Sequence, residues 1–572
     1  MKRRFLAVVA AAVPLVAAAA VSTPVSASPE LVAAVGPTTV STATVSTATS
    51  ATAASATAGP SAFSCAPAGI PAPAGTAVES VTAVAVPAGT FQVPGEPPLG
   101  GFPVPDVPAH CAVTVTLTHP GANDHAKVDV WLPQAGWSGR FQAVGGSAYA
   151  AGDNGAGLAA AVKQGYAAAT TDAGVGGALD TSWALDAAGR VDTALLDNFA
   201  SRSAHEMALV GKEVVAAVYG RAASYSYWNG CSTGGRQGYL EAQRYPTDFD
   251  GIKAAAPGVN WNQFEVATLW PQVVMNETRT YPTGCEFDAF NRAALKACDT
   301  LDGVADGLIS DPQRCDFDPR RLVGTRVECD GKQVTVTAAD AEVVRRIWDG
   351  PRDVNGKRLW YGLPIGADFR YLAASRTDAN GVTTGVPFVV PAAWVATFVQ
   401  KQPGFDAAHL GRAQFDRIFR AARAEYDQVI GTRDADLSAF RDAGGKLLSW
   451  HGDADQLIPT AGTVDYRKRV EERMGGAKKV DDFYRLFLAP GVEHCGLDGG
   501  KVDDLAALTA WVEQGSAPSV LHATLTTGTT GTTGTGGTVA RDLCRYPMVS
   551  RYSGHGDPGA ASSFRCVQPP RH

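Results

Sequence analysis

Gly230-Cys231-Ser232-Thr233-Gly234 is a G-x-S-x-G element between the strand-like run Tyr225 to Asn229 and the helix-like run Arg236 to Arg244. A tight strand-to-helix turn of this kind pushes one hydroxyl, here that of Ser232, out over a sheet edge. The helix N-terminus behind it favours developing negative charge. In a chain with 62 Gly the pattern alone carries little weight. Two further pieces follow it. Lys446 to His451 reads as a buried strand whose loop offers Asp453 and Asp455, and Phe483 to Ala489 reads as another, ending in Pro490-Gly491-Val492-Glu493-His494-Cys495. The chemistry these residues suit is two-step acyl transfer: Ser232 attacks, His494 takes its proton, and a carboxylate orients the imidazole. Asp455 is the acid expected, because it lies one turn beyond the strand end and precedes Gln456-Leu457-Ile458-Pro459. His451 comes before the acid, so a base there would break the chain order.

Ser, Asp and His in that order, the last two after consecutive strands, is the α/β-hydrolase arrangement. Its oxyanion donors are expected at the Thr233 N–H and at Gly146, in the turn Gly145-Gly146-Ser147-Ala148-Tyr149 after the strand Arg140 to Val144. Cys231 precedes the candidate nucleophile and Cys495 follows the candidate base. A bond between them would bring their Cα atoms to about 5.5 Å and press the two loops together.

With these residues the sequence resembles the tannase and feruloyl esterase family, whose mark is a Cys-Ser pair, an Asp, and a His-Cys pair bridged in this way. That family also contains the bacterial enzyme that hydrolyses mono(hydroxyethyl) terephthalate. The match runs roughly from Cys65 to Cys566. It implies a serine esterase acting on esters of phenolic acids such as ferulate, coumarate or gallate. It also implies the pairings Cys65–Cys111, Cys231–Cys495, Cys298–Cys315 and Cys544–Cys566, which leaves Cys285 with Cys329.

The elements that must position the site follow from periodicity. Ala112 to Thr118, Lys127 to Leu132 and Arg140 to Val144 are β-branched and apolar runs between Gly and Pro turns. Gly157 to Val162 and Tyr166 to Thr171 read as a helix and a strand. Ala204 to Tyr219 sets Met207, Val210, Gly211, Val214, Val215 and Val218 on one helical face, with His205 near its start as a satisfied packing residue. Ile252 to Gly258 reads as the next sheet strand, and from Asn260 to about Ala439 the pattern changes before a strand returns at Lys446. Such an interruption is how a lid domain is inserted. Trp360, Tyr361, Phe388 and Trp394 are its candidates for stacking on an aromatic acyl group, or for its core.

The expected organisation is a signal peptide (1–27), an Ala/Thr/Ser-rich disordered leader (28–62), an α/β-hydrolase core (63–258 and 441–572) and a lid (259–440). In the lid, Cys298 to Asp311 offers the carboxylates of Asp299, Asp302 and Asp306, interleaved with the carbonyls of Val304 and Leu308. An all-oxygen set of this kind suits Ca²⁺, although the register is not that of an EF-hand. The residues alone leave a solvated acidic turn open, and the resemblance implies a structural calcium ion. Thr526 to Thr538 reads as a surface loop, Lys501 to Gln514 as the last helix, and Tyr552 to Asp557 as a packing segment.

The basic Lys2-Arg3-Arg4, the apolar run Phe5 to Val21 and Val25-Ser26-Ala27 have the layout of a secretory signal. Ten cysteines, an even number, fit the oxidising compartment that export implies. A net charge of −7 gives no basic field for nucleic acid. No segment after the signal approaches membrane-spanning length, and nothing in the sequence speaks to oligomeric state. Two other classes stay open: an extracellular esterase without phenolic preference, and a non-catalytic calcium-stabilised binding protein on the same scaffold.

Overall fold

Apolar runs that turn alternate side chains to opposite faces build one central sheet in the computed structural model, which describes residues 63–95, 100–329, 331–528 and 537–569. The expected signal peptide and leader lie outside the described residues, as does most of the Thr/Gly loop. The strands are β1 (Ala77–Val86), β2 (His110–Thr118), β3 (Ala126–Pro133), β4 (Arg140–Val144), β5 (Ala167–Thr171), β6 (Tyr225–Cys231), β7 (Gly251–Ala255), β8 (Lys446–Gly452) and β9 (Tyr484–Ala489). Their order across the sheet is β1-β2-β3-β5-β4-β6-β7-β8-β9. The pairs β1–β2, β2–β3 and β3–β5 are antiparallel. From β5 through β4 to β9 every pair is parallel.

A parallel sheet needs helices on both faces. The helices α2 (Ser203–Tyr219), α3 (Thr233–Arg244) and α9 (Ala461–Met474) cover one face, where Met207, Tyr239 and Val470 pack with Trp228, Leu447 and Leu486. On the other, α1 (Ala156–Lys163) and α10 (Asp504–Gln514) bring Leu158 and Trp511 against Tyr227, Leu448 and Phe487. Leu447 and Leu448 therefore serve opposite layers, as strand geometry requires. All six face residues expected of α2 are buried or pack against this core. His205 near its start binds Asp248 and stacks on Tyr245.

Strands β7 and β8 are neighbours, with Trp450 opposite Ala255. Between them the chain forms α4 (Trp261–Ala267), α5 (Trp270–Thr278), α6 (Gly284–Cys298), α7 (Ala338–Asp349) and α8 (Arg412–Tyr426). The inserted segment has an aromatic core of its own, which includes Trp261, Phe264, Trp394, Phe398 and Phe415 and reaches across to Tyr149 and Phe199. Trp394 is fully buried and Trp360 buried in that core, while Tyr361 and Phe388 pack against it. The geometry thus gives all four aromatic residues a packing role.

At the C-terminal end the expected helix from Lys501 begins only at Asp504. Lys501–Val502 is instead a short strand, β10, paired with Ala523 and Thr524 of β11 (Val520–Thr526), which pairs in turn with β12 (Thr538–Cys544). Long-range pairing overrides helical periodicity there. All ten cysteines are bonded, in the pairs Cys65–Cys111, Cys231–Cys495, Cys285–Cys329, Cys298–Cys315 and Cys544–Cys566.

Candidate active site

Strand β6 runs straight into α3 through Ser232, whose backbone sits at φ 60°, ψ −120°. A non-glycine residue there is strained, and the surroundings hold it. The Ser232 N–H donates to Ala255 O at 3.1 Å, and its carbonyl accepts from the Arg236 and Gly258 N–H groups at 2.9 and 3.2 Å. Gly230 is required by contact: a Cβ there would lie 2.3 Å from the carbonyl carbon and oxygen of Gly234. Gly145 is required likewise, since its Cβ would come within 2.6 Å of Gly234 Cα. The G-x-S-x-G turn and the Gly145 turn are therefore packed backbone to backbone. The Gly234 N–H donates to Gly146 O at 2.9 Å, and Thr233 Oγ1 donates to Ala148 O at 2.7 Å.

Thr233 opens α3, so its N–H has no partner within the helix and is available to an oxyanion. Gly146 differs from expectation. Its N–H donates to Gln237 Oε1 at 3.0 Å, because Gln237, one turn into α3, reaches back over the Gly145-Gly146 turn and also donates to Ala151 O at 2.8 Å. Gly146 thus offers no free donor in this arrangement.

Asp455 is fully buried in the loop after β8. Its Oδ1 accepts from the Leu457 and Ile458 N–H groups at 2.9 and 2.7 Å, and its Oδ2 accepts from His494 Nδ1 at 2.8 Å. Burial opposes ionisation of this carboxyl. The His494 charge and hydrogen bonds from His451 and His494 outweigh it and hold the group well below the usual carboxylate range. Asp453 is also buried but lies among different groups: burial, with Asp311 nearby, pushes it well up. Asp455, not Asp453, is the acid that meets the histidine.

The His494 loop is fastened twice more. The His494 N–H donates to Gln456 Oε1 at 2.9 Å, and Gln456 Nε2 donates to Glu493 Oε2 at 3.1 Å. Burial, then the charges of Asp498 and Asp368, push Glu493 up to about 7. Cys231 and Cys495 are bonded with their Cα atoms 6.1 Å apart, which brings the loops bearing Ser232 and His494 together across 264 residues of sequence. Two residues that sequence reasoning passed over belong here. Gln456 reads in the sequence only as part of the loop, and His451, which chain order excludes as the base, places Nε2 3.0 Å from the same Asp455 oxygen. Their spacing from Asp455 was visible, but nothing in the sequence showed that their side chains turn toward it.

The acidic loop after α6 is folded on Asp299, whose Oδ1 accepts from the N–H groups of Asp306, Gly307 and Leu308 at 3.0, 3.0 and 3.3 Å. Asp302 accepts from the Val304 N–H at 3.2 Å, and Asp306 is paired with the Arg541 guanidinium from β12. Among the described residues no three His, Cys, Asp or Glu side chains already converge as a ligand cluster. The donor chemistry nevertheless fits a hard divalent cation. Burial and then the neighbouring Asp306 charge, with Asp299 adding to it, push Asp302 up to about 6. Three carboxylates against one guanidinium leave two negative charges to balance.

The family model described as "Tannase and feruloyl esterase" matches residues 111–567. The chain belongs to the tannase and feruloyl esterase family. A "Probable feruloyl esterase" from Arthroderma benhamiae is 47% identical over 466 residues, covering 80% of this chain and 86% of that protein. The "Tannase" of Aspergillus oryzae is 28% identical over 517 residues, covering 80% and 85%. Among solved structures, the tannin acyl hydrolase from Aspergillus niger superposes with a TM-score of 0.75 at 27% identity, covering 87% of this chain and 92% of that one. Like its family, the chain is a carboxylic ester hydrolase on an α/β-hydrolase core. Ser232, Asp455 and His494 all fall inside the span matched by the family model.

Proposed function

We propose that the chain is a secreted serine esterase that cleaves esters of phenolic acids through an acyl-enzyme on Ser232. The observation that carries this reading is the Asp455–His494 hydrogen bond of 2.8 Å on a loop bonded through Cys495 to the residue before Ser232. Asp455 occupies Nδ1 of His494, so Nε2 is the nitrogen left to accept the Ser232 proton. Ser232 Oγ attacks the ester carbonyl, and the oxyanion is taken up by the Thr233 N–H at the start of α3. For Gly146 to join it, the Gln237 amide has to release the Gly146 N–H. His494 then protonates the leaving alcohol as the C–O bond breaks. Water, deprotonated by the same imidazole, attacks the acyl-enzyme and frees Ser232.

The feruloyl esterase and tannase relatives support a phenolic acyl group. The segment 259–440 is read as a lid over this site, held by a structural Ca²⁺ on Asp299, Asp302 and Asp306 with the carbonyls of Val304 and Leu308. When bound, that ion would neutralise the acidic loop and take no part in ester cleavage. Export through the N-terminal signal is supported by the five disulfides. Among the described residues no helix is long and apolar enough to cross a membrane. The test is a kinetic screen of purified protein on methyl ferulate, methyl coumarate, methyl gallate and short aliphatic p-nitrophenyl esters, with Ser232→Ala as the blank. A kcat/KM at least about tenfold higher on a phenolic ester is expected, roughly the discrimination that complementary packing provides. Equal values across the panel would leave a general esterase, and activity surviving in Ser232→Ala would remove the nucleophile.

A further inference from the structure

His451 is the penultimate residue of β8, and its ring is fully buried. Its Nε2 faces two oxygens that can only accept, Asp455 Oδ2 at 3.0 Å and the Ile458 carbonyl at 3.1 Å. Two acceptors at one ring nitrogen fix the tautomer, with the hydrogen on Nε2. The other nitrogen, Nδ1, lies 2.8 Å from Oγ1 of Thr463, a fully buried residue in the first turn of α9. A neutral ring accepts the Thr463 hydrogen there. Asp455 Oδ2 is thus shared by two imidazoles, His451 Nε2 and His494 Nδ1, while Oδ1 takes two backbone N–H groups. Four donors fill the four lone-pair sites of one carboxylate, and its plane has no freedom to turn.

We propose that His451, backed by Thr463, is a positioning residue for the ester hydrolysis. It pins Asp455 Oδ2 so that the Nδ1–H of His494 stays on the acid and Nε2 is kept for the Ser232 hydroxyl. The proposal rests on the reading of Asp455 as the orienting acid. A histidine satisfied only for packing would carry the same hydrogen bonds, but its loss would act through stability and leave turnover per folded molecule alone. A pinning histidine acts on kcat. Substrate binding is untouched, because the ring is enclosed by Asp455, Ile458 and Thr463 with no exposed surface.

The test measures kcat and KM on the best ester of the panel for His451→Leu, His451→Gln, Thr463→Val and Asp455→Asn, each checked for folding by its melting curve. The Gln amide N–H reaches about as far as Nε2 and can replace the donor. His451→Leu should lose about 10- to 100-fold in kcat, the size expected for one hydrogen bond to a charged group, with KM within about twofold of the parent. Under the same principle His451→Gln should recover to within about fivefold, and Thr463→Val should fall by about three- to tenfold. Folded His451→Leu with parental kcat overturns the proposal, as does His451→Gln no better than His451→Leu. Should the Leu variant fail to fold, Thr463→Val decides, and parental kcat there overturns it equally. Asp455→Asn separates the two readings. If it keeps parental kcat, the acid assignment falls and takes this proposal with it. If it is crippled while His451→Leu and Thr463→Val are parental, the proposal alone falls.

Discussion

Removing the bond between Cys231 and Cys495 with the double substitution Cys231→Ala and Cys495→Ala should damage catalysis more than it damages the fold. The bond closes a loop of 264 residues. In the chain-entropy model such a link is worth about 5 to 6 kcal/mol, and the Cys285–Cys329 and Cys298–Cys315 bonds nested within the loop shorten it too little to change the logarithm much. Spread over an ordered chain of roughly 500 residues, whose unfolding entropy is about 1 kcal/mol/K, that loss lowers the melting temperature by only about 5 °C. The effect on the site is larger in proportion. Ser232 and Cys495 both hold positive φ, 60° and 55°, conformations that cost about 1–3 kcal/mol each and that the bond helps to maintain. Without it the Cys495 turn relaxes and carries His494 with it, and a shift near 1 Å costs about 100-fold in rate. The assay is kcat and KM on the best phenolic ester, beside thermal melting of the same preparation. A folded double variant with kcat within about threefold of the parent would refute the reasoning, leaving the bond as a staple only.

Gly230→Ala should abolish activity and yield of folded protein together, because the new methyl would meet the Gly234 carbonyl at 2.3 Å with no flexible side chain to give way. Soluble, active Gly230→Ala would mean that the elbow is not built this way. Glu493 is raised to about 7 by burial and the nearby Asp498 and Asp368 charges. A carboxyl raised on folding contributes stability below its unfolded pKa, near 4.5, and loses it as pH climbs through 7. Glu493→Gln should therefore melt higher than the parent at pH 8 and about equally at pH 4.5, and a constant difference at both would contradict the assignment. Chelation with EGTA should lower the melting temperature and added Ca²⁺ should restore it. An unchanged melt, with no calcium found in the purified protein by atomic emission, would retire the metal.

The parts of the site legible in the sequence are those set by local chemistry. Gly230, Ser232 and Gly234 suit an elbow, the order Ser232, Asp455, His494 with a cysteine beside the first and last gives that pattern its weight, and the β-branched runs before it fix the strands. The α2 face was readable from its 3.6-residue period, since one side packs on the sheet and the other meets water. What was not legible depends on pairing between distant segments. Lys501 and Val502 look helical in isolation and become a strand because β11 is beside them. Gly146 looks like a free donor until Gln237, 91 residues later, occupies its N–H. The side-chain directions of Gln456 and His451 belong to the same class: position along the chain was plain, but orientation is a property of the packed loop.

These long-range dependencies explain why the inserted segment can be large without disturbing the site. The chain leaves the sheet after β7 and returns at β8, yet those strands pair directly, Trp450 opposite Ala255, with no inserted residue between them. The hydrogen bonds to the Asp455 carboxylate, and those from His494 to Asp455 and Gln456, all come from residues 451–494, after the insertion closes. The elbow is oriented from before it, by Ala255, Gly258 and the Gly145 turn. Two half-sites are thus hydrogen-bonded separately and joined by sheet pairing and by the Cys231–Cys495 bond, while Leu457 and Ile458 of the acid loop pack into the aromatic core of the insertion. Variation within 259–440 away from the Leu457 and Ile458 contact can then reshape what enters the site without moving the groups proposed to react. On that argument, substitutions that alter ester preference should map to the insertion and change KM, whereas substitutions in residues 451–494 should change kcat for every ester alike.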